Sequence, residues 1–456
     1  MENFMSVGKR IPKRDGVDKV TGRAAYIQDL RMPGMLFGKI LRSKYPHARI
    51  VRIDTSRAKQ LLGVRAVITA ADVPQIRYGV MKDQPVLKAD KVRSYRDEVA
   101  AVAAISPEIA EEALDLIEVE YEALPGIFDP IEALREGAPL VHEENKSNLL
   151  KMPWKLLAGD VEAARKASAF TVEDEFSVTW VTHCCLGTEG IIADFDLRNN
   201  LTVYRNTQIP SLAQRDFQDA LKVMGLKQSK VRLIKPVIGG GFGSKLDTYG
   251  FEYIAILLAY VTRKPVKIVR TREEEFKYTS TRQPAVIRIG QGCDANGKLT
   301  FRDISMVLDN GAYTSWGATT PSVMMMPISS LYKVPHIRYE AQCVYTNNTW
   351  SQAMRGYGNP QATFAIESNM DQLAEKAGID PLEFRMRNAN EPGELTPQRF
   401  KITSCELKAC IQEVSKKLDW PNRRKGPKIV GRGMGMASLI HVGGGARVYK
   451  SDGCGT

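Results

Sequence analysis

The sequence predicts a protein of the α+β class, in which helices and strands are mixed along the chain. Short apolar runs bounded by glycine or proline recur between residues 64 and 289, which is typical of strands. Segments with helix caps separate these runs, and residues 251–261 are apolar almost throughout, as expected of a buried helix. A chain of 456 residues, 43% of them hydrophobic and 25% charged, is long enough for two to four domains with separate cores.

An α/β unit is predicted over residues 1–130. A short helix follows the cap at residues 54–56 and ends before Gly63, since glycine readily takes the left-handed conformation that stops a helix. A second helix opens at Ser106, whose hydroxyl can cap it and which a proline follows. The predicted strands of this unit are residues 64–68, 99–105 and 116–121.

A second domain is predicted over residues 131–456, after a cluster of proline and glycine at residues 125–130. Ser211 is predicted to cap its first helix, and Asn296 with Gly297 is predicted to form a hairpin turn. The predicted helices are residues 211–223, 251–261, 363–376 and 405–418. The predicted strands are residues 170–179, 191–204, 231–233, 264–270 and 284–289.

The stretch at residues 237–245, Val-Ile-Gly-Gly-Gly-Phe-Gly-Ser-Lys, follows a predicted strand and is the strongest candidate for ligand binding. Its four glycines allow positive φ and close approach of a ligand to the main chain, and successive amides in such a turn attract anions. Lys245 is expected to add a positive charge. Ser244 stands where the P-loop and the dinucleotide fingerprint both require glycine. The loop predicts a site for a phosphate-bearing cofactor with Phe242 lining a pocket, and a simple turn without a ligand is the alternative.

Two further segments carry side chains suited to oxygen ligands. Gln208 lies between a predicted strand and a predicted helix, where its amide can donate to an oxo group or accept from an amide. Arg355 precedes a glycine-rich turn at residues 356–358 and can bind an oxyanion or a phosphate through two hydrogen bonds. Each residue alone is more common as an ordinary loop or surface residue, so neither decides the function by itself.

Composition and charge argue against several classes of function. The net charge of +12 comes from 64 basic and 52 acidic residues that are interleaved, which favours an anionic cofactor or an acidic partner over nucleic acid. No apolar run reaches about 18 residues, and the N-terminus lacks the apolar region of a signal peptide, so neither a membrane span nor secretion is predicted. Seven dispersed cysteines and five scattered histidines predict a reducing, cytoplasmic setting and no metal-ligating side chain.

The order and spacing of these segments closely resemble the molybdopterin-binding large subunit of the xanthine dehydrogenase and aldehyde oxidase family of molybdenum hydroxylases. The resemblance covers nearly the whole chain. It implies the family's small α/β hammerhead domain at residues 1–130 and the first half of its molybdopterin-binding domain at residues 131–456. The motifs that carry it are residues 22–26, 42–48, 207–208, 239–245, 355–358 with Pro360 and Gln361, and 380–385.

The resemblance also implies roles for individual residues. Gln208 would lie near the apical ligand of the metal, the main chain at Phe242 and Gly243 near its oxygen ligands, and Arg355 beside the metal and the substrate pocket. Gln208 and Arg355 are therefore the candidate catalytic residues. The implied cofactor is molybdenum–molybdopterin in its cytosine dinucleotide form, with 2Fe–2S clusters and FAD on partner subunits. The implied cofactor-binding residues are Gln208, Gly240, Gly241, Phe242, Gly243, Arg355 and Gly356.

Departures from the family pattern narrow the substrate. Leu246 stands where purine-oxidising members carry glutamate, and residues 322–326 lack their second pocket arginine, which speaks against xanthine. No cysteine adjoins Arg355, which speaks against carbon monoxide. Leu246, Met325 and Tyr357 predict an apolar pocket for an aromatic or N-heteroaromatic substrate such as nicotinate, hydroxylated with oxygen from water. A 4-hydroxybenzoyl-CoA reductase-type alpha subunit, which removes a ring hydroxyl, remains the alternative.

Large subunits of this family also contain a second cofactor-binding segment and a late glutamate that acts as general base. The sequence offers no candidate for that glutamate, since Glu189 and Glu383 lie in other motifs, and residues 452–456 are predicted to start a strand. We therefore predict that a second molybdopterin-binding subunit supplies the missing half, as in split nicotinate dehydrogenases. The assembly would be a dimer of heteromers with 2Fe–2S and FAD subunits. A truncated, non-catalytic or assembly subunit is the other possibility.

Overall fold

The computed structural model describes residues 4–152, 154–426 and 429–441. The chain divides into two compact units, each made of three segments. The first unit consists of Met1–Tyr78, Gln84–Ala123 and Cys184–Thr279, and the second consists of Gly79–Asp83, Leu124–His183 and Ser280–Thr456. Both units combine residues from either side of residue 130, where the sequence predicts a domain boundary. The predicted strand at residues 452–456 lies outside the described residues.

The strands of the described residues are numbered in chain order. They are β1 (Leu36–Arg42), β2 (Ala48–Asp54), β3 (Val64–Thr69), β4 (Arg77–Tyr78), β5 (Gln84–Pro85), β6 (Lys91–Val92), β7 (Glu98–Ala104), β8 (Glu118–Ala123), β9 (Trp154–Ala158), β10 (Phe170–Val178), β11 (Gly190–Phe195), β12 (Leu201–Arg205), β13 (Val231–Ile234), β14 (Val266–Val269), β15 (Ala285–Cys293), β16 (Leu299–Gly311) and β17 (His336–Tyr345).

The α-helices are numbered in the same way, and three short 3-10 helices at Glu132–Leu134, Gln228–Lys230 and Trp316–Thr319 accompany them. None of the helices in the described ranges combines the length and the apolar character needed to cross a bilayer. The α-helices are α1 (Gly16–Val20), α2 (Ser56–Gln60), α3 (Pro107–Asp115), α4 (Val161–Ala167), α5 (Pro210–Val223), α6 (Gly250–Thr262), α7 (Arg272–Tyr278), α8 (Thr320–Ser330), α9 (Asn359–Lys376), α10 (Pro381–Asn388), α11 (Leu407–Leu418) and α12 (Trp420–Lys425).

The first unit is built on a seven-stranded sheet with the strand order β13-β12-β11-β14-β1-β7-β3. In this sheet β1 pairs with β14 and β12 with β13 in parallel, and the other neighbours are antiparallel. Every residue of β7 is buried, as the continuous apolar run in the sequence predicts, because a strand covered on both faces has no polar side. Helix α3 packs on β7 through Ala110 and Ala113 beside Val102, and α6 packs against β11 and β14. The sheet β6-β2-β8 and the pair β4-β5 belong to the same unit.

The second unit is built on a five-stranded sheet with the order β10-β15-β16-β17-β9. The predicted turn at Asn296 and Gly297 joins β15 to β16, and Gly297 has the positive φ of 76° that the turn requires. Helix α9 packs against β10 and β15. On this contact, Gln291 of β15 donates from Nε2 to Asn369 Oδ1 of α9 at 2.9 Å, so that a buried polar pair fixes the helix on the sheet.

One predicted strand is a hairpin in the structure. Residues 191–204 form β11 and β12, joined by a turn around Asp196. The Asp196 carboxylate accepts hydrogen bonds from the N–H groups of Arg198 and Asn200, at 2.9 and 2.8 Å. Aspartate side chains commonly stabilise turns in this way, and Asn199 supplies the left-handed residue, with φ = 58°. The alternating pattern thus predicted the strand type correctly and missed the turn.

Two predicted helix starts also differ from the structure. Ser211 does not cap α5, because the helix begins one residue earlier at Pro210 and its N-cap residue, Ile209, makes no side-chain cap bond. Proline is favoured at the first helical position, where its missing N–H has no intrahelical partner to lose. Helix α9 begins at Asn359, four residues before the predicted start, and its N-cap residue is Gly358 with φ = 94°.

The motif at residues 380–385 has a structural role. Asp380 caps α10 by accepting from the Leu382 N–H at 2.9 Å. Arg385 on α10 is fully buried and donates to Glu367 Oε2 at 2.8 Å and to Asp371 Oδ1 at 2.7 Å on α9. Burial lowers the pKa of Arg385, but the charges of Glu367 and Asp371, together with the hydrogen bond to Asp371 and the nearby Tyr332, raise it above its ordinary value. The motif therefore locks α10 onto α9.

Arg385→Met is expected to destabilise the second unit strongly. Removal of one partner leaves the buried Glu367 carboxylate without its cation, which costs about 3–5 kcal/mol. Arg387→Met on the same helix is the matched control, because Arg387 pairs with Glu383 at the surface and such pairs contribute about 0–1 kcal/mol. Urea unfolding followed by circular dichroism measures both changes. Equal destabilisation by the two variants would contradict the assigned role of Arg385.

Candidate functional site

The predicted site residues fall into two groups, one in each compact unit. The first unit holds Gln208, Gly240, Gly241, Phe242, Gly243 and Leu246, and the second unit holds Met325, Arg355, Gly356 and Tyr357. Each group has its own geometry, which follows from the turns and helices of its unit.

The glycine-rich loop leaves β13 and is attached at its start to the N-terminal segment. The Val237 N–H donates to the Ala25 carbonyl at 3.2 Å. Beyond this point Gly239, Gly240 and Gly243 have φ values of 68°, 96° and 116°, in the region that favours glycine. Three of the four glycines of the loop are therefore required by their backbone conformation.

Phe242 is the unusual residue of the loop. Its φ of 53° is left-handed, which is rare for a bulky side chain and costs on the order of 1–3 kcal/mol. The ring lies over Gly240, where an added Cβ would come within 3.1 Å of Phe242 Cε2. The Phe242 side chain is 49% exposed, so its ring lies at the protein surface rather than in the core.

Gln208 is oriented by the loop. Its N–H donates to the Lys245 carbonyl at 2.9 Å, and its Oε1 accepts from the Gly243 N–H at 2.8 Å. Because an N–H can only donate, this contact assigns the side-chain oxygen and directs Nε2 away from Gly243 as a donor. A Cβ on Gly241 would lie 2.6 Å from Gln208 Oε1, so glycine at that position leaves room for the oriented amide.

Lys245, which is expected from the sequence to add a positive charge to the loop, is buried in the structure. The residue is only 1% exposed, and its Nζ donates to the carbonyls of Gly187 and Ile238 at 2.6 and 2.7 Å. Burial lowers the pKa of Lys245, and the neighbouring charge of Glu189 opposes that effect. The ammonium group thus ties the start of the loop to the segment before β11.

A cavity of ≈ 710 Å³ lies along the first half of the loop. Its polar lining includes Gln28, which donates to Thr188 Oγ1 at 3.0 Å, and Asp29, which accepts from the Tyr26 N–H at 2.9 Å. Further lining residues are Lys19, Leu186, Ile238, Gly239 and Gly240. The loop therefore borders a space large enough for part of a cofactor.

In the second unit, Arg355 lies in an exposed turn before α9. Gly356, Tyr357 and Gly358 have φ values of 94°, 45° and 94°. The Tyr357 hydroxyl donates to the Trp316 carbonyl at 2.6 Å. Three successive left-handed residues therefore define the turn, and the Tyr357 contact anchors it.

Met325 lies on α8 and is 8% exposed. The Gln398 side chain donates from Nε2 to the Met325 carbonyl at 3.2 Å. A Cβ on Gly358 would meet Cγ of the neighbouring Met324 at 2.6 Å, so α8 packs directly against the Arg355 turn. Leu246 in the first unit is half-buried, and the pocket roles of these residues remain predictions.

The structure adds two residues that the motifs did not indicate. His183 Nε2 donates to the Ala353 carbonyl at 2.9 Å, and Arg282 Nη2 donates to the Arg355 carbonyl at 2.6 Å. Arg282 Nη1 also donates to Gln361 Oε1 at 2.8 Å. Both residues hold the segment that carries Arg355. The only local signal was the position of Arg282 just before a predicted strand.

His183 is a neutral donor at neutral pH. The side chain is 6% exposed, and burial lowers its pKa to about 4, with a further lowering by the charge of Arg282. Because a carbonyl only accepts, the proton resides on Nε2. Protonation of the second nitrogen would place a buried charge beside Arg282.

Two stretches of the chain match known domain families. Residues 141–389 match the molybdopterin cofactor-binding domain, and residues 21–125 match the a/b hammerhead domain of aldehyde oxidase and xanthine dehydrogenase. The chain belongs to the xanthine dehydrogenase and aldehyde oxidase family of molybdenum hydroxylases. The resemblance inferred from the motifs and the predicted fold class are thereby confirmed.

Two relatives in the molybdenum hydroxylase family show how far the similarity extends along the chain. The chain is 38% identical over 444 residues to a probable xanthine dehydrogenase subunit of Bacillus subtilis (strain 168), an alignment that covers 97% of this chain and 58% of the relative. It is 39% identical over 394 residues to the nicotinate dehydrogenase large molybdopterin subunit of Eubacterium barkeri, covering 86% of this chain and 91% of the relative. The chain thus spans less than two thirds of the first relative's length.

Solved structures of the molybdenum hydroxylase family share the fold. Quinoline 2-oxidoreductase from Pseudomonas putida 86 superposes with a TM-score of 0.86 at 28% identity, over 92% of this chain and 55% of that chain. The aldehyde oxidoreductase from Desulfovibrio gigas superposes with a TM-score of 0.85 at 28% identity, over 91% of this chain and 46% of that chain.

The buried neutral state of His183 predicts a loss of stability in acid. Between the ordinary pKa of about 6.5 and the folded value of about 4, the unfolded chain binds more protons than the folded one, so stability falls as the pH falls through this window. The loss between pH 7 and pH 5 is about 2 kcal/mol for this group. His183→Gln keeps an amide donor and removes the titration. Urea unfolding at both pH values should therefore show a smaller acid loss in the variant, and an unchanged loss would refute this assignment.

Proposed function

We propose that the chain is the molybdopterin-binding subunit of a molybdenum hydroxylase that acts on an aromatic or N-heteroaromatic substrate such as nicotinate. The reaction would add oxygen from water, and electrons would pass to 2Fe–2S and FAD partner subunits. The observation that carries the proposal is the oriented Gln208 amide beside the left-handed glycine loop. The Gln208 amide offers its Nε2 as an oriented donor, and the neighbouring glycine loop leaves its main chain open to a ligand.

The residues of the loop fit the cofactor that the family implies. Gly239, Gly240 and Gly243 hold φ values that other residues rarely adopt, and a Cβ on Gly241 would displace Gln208. When bound, the molybdenum centre supplies an acidified water and takes up two electrons. Gly240, Gly241, Phe242 and Gly243 would hold the cofactor through main chain, in the cytosine dinucleotide form that we propose.

The chain's own side chains would orient and polarise the reacting groups. Gln208 would offer Nε2 as a donor to a cofactor oxygen, since its Oε1 accepts from the Gly243 N–H. Arg355 and Gly356 belong to a turn with fixed backbone, which would hold the Arg355 charge in place for developing negative charge. Lys245 would hold the start of the loop in place through its bonds to the Gly187 and Ile238 carbonyls.

The sequence favours an N-heteroaromatic substrate, and two of the named relatives are consistent with one. Leu246 offers no carboxylate, and the Tyr357 hydroxyl donates to the Trp316 carbonyl, so neither residue supplies a charged group. One relative is named a nicotinate dehydrogenase subunit, and one structural neighbour is named quinoline 2-oxidoreductase. These two names are consistent with a nicotinate-like ring, and the absence of a carboxylate at Leu246 is the observation that speaks against a purine. The name of the first, a large molybdopterin subunit that the alignment covers to 91%, supports a second molybdopterin-binding subunit as a partner.

Gly241→Ala is expected to reduce cofactor retention. The new Cβ would meet Gln208 Oε1 at 2.6 Å and move the amide away from the Gly243 N–H, so the cofactor would lose one hydrogen bond of about 0.5–1.5 kcal/mol, or roughly twofold to tenfold in affinity. Gly433→Ala is the matched control, because an added Cβ there meets nothing within 4 Å. Molybdenum by mass spectrometry and pterin by fluorescence are measured per mole of the purified complex. A wild-type complex free of both would show instead that the chain is a non-catalytic subunit.

A further inference from the structure

Arg282 is a half-buried cation whose contacts are all neutral. Its guanidinium donates to Gln361 Oε1, to the Arg355 carbonyl and to Met354 Sδ. In the described part of the chain, no carboxylate lies within ion-pair distance of it. Burial lowers the pKa of Arg282, and no acidic neighbour opposes that effect. Its charge is therefore left uncompensated.

Other enclosed arginines show what is distinctive about Arg282. Arg205, Arg270 and Arg385 are each paired with a glutamate. Arg302 also has neutral acceptors, but it is completely enclosed, with Gln291 Oε1 at 2.8 Å and no exposed surface. Arg282 instead keeps part of its surface open, so a ligand can reach it.

The surroundings of Arg282 are positive as well. The exposed Arg355 lies on the segment that Arg282 holds. Helix α9 begins four residues further on and has no acidic residue in its first turn, so the positive end of its dipole is not neutralised by an acidic side chain there. His183, on the other side of the segment, is neutral and donates to the Ala353 carbonyl.

We propose that Arg282 is the centre of an oxyanion-binding site and that its ligand is the carboxylate of the substrate. The inference rests on the proposed function and narrows it to heteroaromatic carboxylates. An arginine has five N–H donors, and the contacts with Gln361, Met354 and Arg355 use three of them. One donor on Nε and one on Nη1 remain, and either can bond an oxyanion through a charge-assisted bond, which is about twice as strong as a neutral one.

A phosphate of the cofactor would offer the same chemistry, and the experiment separates the two sources. The complete complex is purified with wild-type chain, with Arg282→Gln and with Arg282→Lys. Arg288→Gln is the matched control, since Arg288 lies on β15 and pairs with Glu175 in solvent. Molybdenum and pterin content is measured first, because it tests the proposed function independently of substrate binding.

Calorimetry then compares nicotinate with nicotinamide, which has the same ring and a neutral amide. Wild-type complex is expected to bind nicotinate more tightly. Arg282→Gln should weaken nicotinate roughly tenfold to a hundredfold more than nicotinamide, as for loss of a charged hydrogen bond. Arg282→Lys should recover part of the nicotinate affinity, and Arg288→Gln should match wild type.

Wild-type protein alone gives a second readout if the glutamine variant fails to fold. Inorganic phosphate is expected to compete with nicotinate and not with nicotinamide. Equal binding of the two ring compounds by wild type, or equal weakening of both by Arg282→Gln, would overturn the proposal. Loss of pterin in Arg282→Gln, with charge discrimination retained, would assign the oxyanion to the cofactor and overturn it too.

Discussion

The contact of the Lys245 ammonium with two carbonyls is the constraint on which the glycine loop depends. Glycines can adopt the left-handed conformation, but they adopt other conformations as readily, so they do not fix the loop by themselves. Lys245 binds Gly187 and Ile238 from beneath, and its own carbonyl accepts from the Gln208 N–H. One residue thus positions both the start of the loop and the amide that faces it, so the candidate site is ordered before any ligand arrives.

Much of this arrangement was visible in the sequence because local chemistry determines it. Four glycines around Phe242 predict left-handed backbone, and the structure has it at three of them and at Phe242 itself. The apolar run of β7 predicts a strand buried on both faces, which the sheet confirms. The role of Lys245 was not visible, because a lysine next to a glycine loop has the same sequence signal whether it faces a phosphate or two carbonyls.

The contacts that hold the Arg355 turn could not be predicted from the sequence because their partners are far apart in the chain. His183 is 170 positions from Ala353 and Arg282 is 73 positions from Arg355. Neither pair has a spacing or a local motif, and only the pairing of strands brings them together. The turn at Asp196 was missed for a local reason. The alternation of apolar and polar residues continues across the turn, so the pattern predicts one strand where the structure has two.

Each unit has a cation, Lys245 or Arg282, that holds a loop, but the two cations differ in exposure. Lys245 and Arg282 both donate to main-chain carbonyls of a loop rich in left-handed residues. The Lys245 ammonium is bonded to two carbonyls and lies in a residue that is only 1% exposed, so a ligand cannot reach it. Arg282 has no carboxylate partner among the described residues. Lys245 therefore serves the backbone alone, whereas the partly exposed Arg282 can still attract an anion, and this difference is why the oxyanion site is assigned to Arg282 rather than to Lys245.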